Sequence, residues 1–84
     1  MSRKTNHVGQ KHATGVITLV QENRFKLADD EGRSELFVLA HDAPLEAQDL
    51  QFLQRSQPHV TVVYTDADDL IAGVAHDVLP ADRR

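Results

Sequence analysis

The chain of 84 residues contains no cysteine and no tryptophan. Without cysteine there is no disulfide framework, no thiolate metal site and no cysteine nucleophile, so stability has to come from apolar packing. No stretch approaches the roughly 18 apolar residues of a membrane-spanning helix. Met1 to His12 is polar and lacks the apolar core of a signal peptide, which predicts a cytoplasmic protein without a membrane partner. Serine is confined to Ser2, Ser34 and Ser56, none of them in a nucleophile-elbow context. Gly9 and Gly15 form no phosphate-cradling loop, and the acid pairs Asp29–Asp30 and Asp68–Asp69 stand in turns, where exposed carboxylates have no cleft to work in. These absences predict a non-enzymatic chain with no cofactor. At this length only about 60% of the surface of the unfolded chain can be buried, which leaves one domain and no deep enclosed site.

Charge is present but uneven. The net charge is −4, yet between Ala13 and Pro80 only Arg24, Lys26, Arg33 and Arg55 stand against twelve acids, giving −8 for the body. The cations Arg3, Lys4 and Lys11 precede that body, and Arg83 and Arg84 follow it. An acidic body repels phosphate backbones, whereas binding them calls for cations clustered on a folded face.

Residues 1–13 hold few apolar side chains and predict a mobile basic tail, with a second short tail at 81–84. Residues 14–80 then read as one domain. Val16, Ile17, Leu19 and Val20 form a first β-branched run, and Arg24 to Leu27 alternates polar with apolar, placing Phe25 and Leu27 on one face and the two cations on the other. Asp29, Asp30, Glu31 and Gly32 are turn formers ending in the residue that takes a left-handed conformation most readily. Strand three runs from Arg33 to Ala40, with Leu36, Val38 and Ala40 on one face and Phe37 and Leu39 on the other. Asp42 is the expected N-cap of a helix from about Leu45 to Arg55, stopped by Pro58. Val60 to Thr65 and Leu70 to Leu79 alternate as two strands about the acidic turn Asp66 to Asp69. An antiparallel pairing about that turn sets Val60 near Val74, Val62 near Ala72 and Tyr64 near Leu70.

Three strands, a helix and two strands is the order of the OB-fold, a small five-stranded Greek-key barrel. The expected fold class is therefore mainly β, an OB-like barrel with one short helix between strands three and four; an SH3-like barrel is the alternative. Four segments resemble the small OB domains of bacterial translation initiation factor one and of the S1 type: Gly15 to Ile17, Phe25 to Leu27, Asp29 to Gly32, and Val60 to Val62. That resemblance implies a fold more than a function. RNA-binding members carry basic and aromatic groups on strands two and three, and the corresponding positions here are Arg24, Phe25, Lys26, Arg33 and Phe37. The loop between strands four and five departs from the pattern, since it holds Asp66, Asp68 and Asp69.

These eight residues are the candidate binding set. The competing reading of Phe25, Phe37, Phe52 and Tyr64 is that they fill the barrel interior. His41, His59 and His76 are candidate metal ligands if the hairpin register brings them together, but no zinc-ligand spacing is present and no metal site is expected. Apolar residues lie on both faces of strand three and of the last pair, where Val63 falls opposite Ile71, so some apolar surface is expected outside. The functional expectation is a binding or adaptor module that docks a protein or peptide partner, or a second copy of itself. Single-stranded nucleic acid, held on strands two and three, is the alternative. Acids flanking that groove favour a basic protein surface as the partner.

Overall fold

The computed structural model describes residues 10–67 and 72–81. It comprises β1 (Lys11–Gln21), β2 (Arg24–Ala28), β3 (Ser34–Leu39), α1 (Ala47–Ser56), β4 (Val60–Asp66) and β5 (Gly73–Pro80). The strands close into a barrel in the order β1-β2-β3-β5-β4. All neighbours are antiparallel except β3 and β5, whose parallel contact joins Phe37, Val38 and Leu39 to Gly73, Val74 and Ala75. The fold is thus a mainly β, OB-like barrel with one helix between strands three and four.

Closure depends on β1, which pairs with both of its neighbours. Its first half, Lys11 to Gly15, lies along Tyr64 to Val60 of β4. Its second half, Val16 to Gln21, lies along β2. Gly15 stands at the corner between the halves, and a Cβ on it would overlap the carbonyl oxygen of Ala28. Only glycine permits that approach. The strand therefore begins at Lys11, inside the stretch expected as tail, because Lys11, His12 and Ala13 are held by a partner distant in sequence. Residues 1–9 and 82–84 lie outside the described residues.

A β-bulge interrupts β1, where pairing passes from Ile17 opposite Leu27 to Leu19 opposite Lys26. The extra residue, Thr18, reverses the inside–outside alternation. Ile17 is buried, Leu19 is 42% exposed, and Val20 packs back against the core. At the same bulge the Thr18 carbonyl accepts a hydrogen bond from Gln54 Nε2 at 3.2 Å, which ties α1 to the barrel.

The helix starts later than its expected N-cap, Asp42. Glu46 is the capping residue, and its backbone N–H donates to Asp49 Oδ2 at 2.8 Å, one limb of a capping box. The helix ends at Gln57, which adopts a left-handed conformation (φ 53°) just before Pro58. Leu50 is fully buried, with Leu45 and Leu53 packed beside it against the core, while Phe52 turns outward.

The remaining core is Ile17, Phe25, Leu27, Phe37, Leu39, Val60, Val62, Tyr64 and Ala75. Phe37 is its centre. Its ring stacks on Phe25 at a centroid distance of 5.4 Å and meets Tyr64 edge-on at 4.8 Å, both favourable aromatic geometries. Gly73 lies against this cluster, and a Cβ there would come within 2.8 Å of the Tyr64 ring.

The β4–β5 register differs from the expected one. Val60 pairs with Pro80, Val62 with Val78 and Tyr64 with Ala75, with a bulge that leaves His76 unpaired. The connection is longer than a tight acidic turn, so β5 begins at Gly73 and every expected pair shifts. Val63 lies opposite Asp77; its expected partner Ile71 falls outside the described residues.

Candidate functional site

Strands β2 and β3 divide the expected binding set between two faces. Phe25 and Phe37 point into the barrel and are 1% and 0% exposed, so neither can stack on a ligand. Their interior position follows from closure: they share a face with Leu27 and Leu39, and that face is the core. Arg24 and Lys26 point the opposite way and are exposed. Arg33 joins neither face. It sits at the β2–β3 turn, where its guanidinium pairs with Glu31 at 2.7 Å and with Asp29 at 3.4 Å.

The outer face is built in rows across the ladder. One row is Leu19, Lys26 and Leu36; the next is Gln21, Arg24 and Val38, continued by Val74 on β5. Leu36, Val38 and Val74 are half-buried and Leu19 is exposed. A shallow groove of about 270 Å³ runs over the Leu19, Arg24, Lys26 and Leu36 part of this surface, floored by Phe25. Neither Arg24 nor Lys26 forms an ion pair with any described residue. Among the described residues, then, two cations without an ion pair stand beside aliphatic side chains on an acidic body.

A second concavity opens at one mouth of the barrel. About 430 Å³ in volume, it lies between the start of β1, the β2–β3 turn and β4, and Tyr64, Glu35, His12 and Arg33 contribute to its walls. Burial, reinforced by the Glu35 carboxylate, raises the pKa of the Tyr64 phenol. Lys11 Nζ donates to Asp66 Oδ2 at 2.7 Å, and this contact raises the lysine pKa above its ordinary value. Asp29 Oδ1 accepts from the backbone N–H groups of Arg33 and Glu31, each at 2.9 Å. With the nearby guanidinium these donors hold its carboxyl below the usual range. Lys11 and Arg33 are thus both matched to acids here, unlike the cations of the outer face.

Asp66 is held by Lys11 and stands on β4, two strand steps around the barrel from Arg24 by way of β1, so it is not on the β2–β3 face. Asp68 and Asp69 fall outside the described residues. Among the described residues, then, the one acid of the expected groove lies apart from its cations. The histidines also separate. His59 precedes β4, with Nε2 3.4 Å from Asp30 Oδ1, while His76 lies near the other end of the hairpin, with Nε2 2.9 Å from Thr65 Oγ1. No group of three potential metal ligands converges among the described residues, nor is any helix among them long and apolar enough to cross a membrane.

The alternation of Arg24, Phe25 and Lys26 already separates the phenylalanine from its flanking cations, which could have excluded a mixed stacking face. Leu19 carries no comparable signal, because the Thr18 bulge that exposes it leaves no mark in the hydrophobic pattern. The Tyr64–Glu35 mouth was missed as well; Glu35 shares a row with Leu27, which marks it as an inward residue at the barrel's end. Comparison of the chain with protein-family models, curated proteins and solved structures finds no match to any of them.

Proposed function

We propose that this barrel is a non-enzymatic docking module that binds a protein or peptide partner through the outer face of β1, β2 and β3. The observation that carries the reading is the position of Leu19, Leu36 and Val38. They lie outside a barrel whose core is formed by other side chains, on a face that also holds two cations without an ion pair among the described residues. Aliphatic side chains grouped around a few charges suit a protein contact.

Single-stranded nucleic acid is the alternative that a resemblance to initiation factor one and S1-type domains implies. Such binding draws on aromatic platforms and a basic groove. Phe25, Phe37 and Tyr64 all face the core, and the outer face offers aliphatics in their place. The protein reading is therefore preferred.

Site-specific photocrosslinking tests it. A benzophenone side chain replacing Leu19 is expected to give a discrete protein adduct in the native cell. The same group replacing Leu79, which is equally exposed at 43% on β5, is expected to give none. A nuclease-sensitive adduct at Leu19 returns the nucleic-acid reading, and an adduct of twice the chain mass identifies a second copy as the partner.

A further inference from the structure

The charges of this face specify more than a generic protein contact. We infer that the partner is an acidic segment, presenting carboxylates to Arg24 and Lys26 and aliphatic side chains to Leu19, Leu36 and Val38. The inference rests on the docking reading above and replaces the expectation of a basic partner with its opposite.

Three observations support it. Arg24 and Lys26 are two residues apart on β2 and share its outer face, which spaces their Cα atoms by roughly 7 Å. Carboxylates at alternate positions of an extended segment have the same repeat, so both can be met at once. Second, neither cation has an acid partner among the described residues, although acids outnumber cations threefold between Ala13 and Pro80. Lys11 and Arg33, by contrast, are each engaged by at least one carboxylate, and Arg55 on α1 shares the lack of an ion pair but stands singly. Third, Asp66, the one described acid of the three expected beside this groove, is bound instead to Lys11 at 2.7 Å.

The same charges disfavour two other occupants. A symmetric dimer through this face would bring each pair of cations against its copy, with no acid in the described rows of the patch to separate them. A nucleic acid would meet two cations on this face of a chain of net charge −4, and among the described residues no aromatic side chain lies in the rows of that face.

The test uses the full chain and three fluorescent probes: a peptide of about ten residues alternating glutamate with small polar residues between terminal leucines, its lysine counterpart, and oligothymidylate. In low salt the glutamate peptide is expected to bind, to weaken as salt rises, and to shift the amide resonances of Leu19, Arg24, Lys26 and Leu36. The double substitution Arg24→Gln, Lys26→Gln should weaken it about tenfold, the product of two exposed charge contacts. The reversal Arg24→Glu, Lys26→Glu should transfer binding to the lysine peptide. These residues are exposed, so the circular dichroism of both variants is expected to match the parent. Preference of the parent chain for the lysine peptide, binding of neither peptide, or tighter binding of oligothymidylate each overturns the inference. Crosslinking from Leu19 is read separately: a protein adduct there keeps the docking face even where the acidic partner fails, and its absence removes both.

Discussion

The ladder of β2 and β3 has an inner face of Phe25, Leu27, Phe37 and Leu39 and an outer face of Arg24, Lys26, Leu36 and Val38, separated only by the pleat. Inside, two aromatic rings stack and a third closes on them from β4. Outside, aliphatic groups are half-covered and the charges have no described partner. A barrel this small cannot enclose both sets, and the aromatic set wins because a ring buries more apolar area than an aliphatic side chain. The aliphatics left outside are the price of building β3 from apolar residues on both faces, and the proposed docking surface rests on them.

The strongest way to break this contrast is from within. Phe37→Ala removes the ring at the centre of the cluster and is expected to cost about 3–5 kcal/mol. A domain of this length has about 4–13 kcal/mol in total. Urea denaturation should therefore show a strongly lowered midpoint, while Phe37→Leu keeps one closer to the parent's. A loss below about 1 kcal/mol for the alanine variant would show that the interior collapses around the gap and that Phe37 is not central to it.

The outer face should respond in the opposite sense. Leu36→Ser trims a half-buried side chain whose neighbours in the row are Leu19 on one strand and Lys26 on the next, at a cost of about 1 kcal/mol or less. The urea midpoint should move little, and binding of an acidic peptide should fall. A loss as large as that of Phe37→Ala would mean that this face is part of the core and would collapse the distinction between the two surfaces.

How far the sequence reveals this contrast depends on the element. The alternation in β2 is strict, so its two faces and its bounds can be read directly. In β3 both faces are apolar, and the pattern alone gives no reason to put Phe37 inside and Leu36 outside. Closure decides it, through the parallel contact of Phe37 with Gly73, a pairing distant in sequence. The β4–β5 register failed for a related reason: alternation is satisfied by many offsets, and the length of the connection selects among them. The Lys11–Ala13 strand was hidden because its residues lack β-branched character and are held by β4. The exposure of Leu19 was hidden because a one-residue bulge inverts the pattern without changing it.

The smallest expected effect concerns the turn that keeps the two faces in register. Asp29 Oδ1 accepts from the N–H groups of Glu31 and Arg33, and Gly32 adopts φ 86° to bring the chain back. A slip of one residue at this turn would exchange the inner and outer faces of β3. Because the N–H of Arg33, that of Glu31 and the nearby guanidinium favour the charged form, the Asp29 carboxyl has a lower pKa in the folded chain than in the unfolded one. The folded state then binds fewer protons, so the stabilisation is fully present above the unfolded value and disappears as pH falls through the folded one. Asp29→Asn keeps an oxygen to accept the two N–H groups but removes the charge. The variant should be less stable than the parent near neutral pH, by a margin that closes in acid below the ordinary carboxylate range. Urea midpoints of both chains across that range measure it. A margin that stays constant with pH would assign the effect to turn geometry and leave the charge of Asp29 without a part in holding the two faces apart.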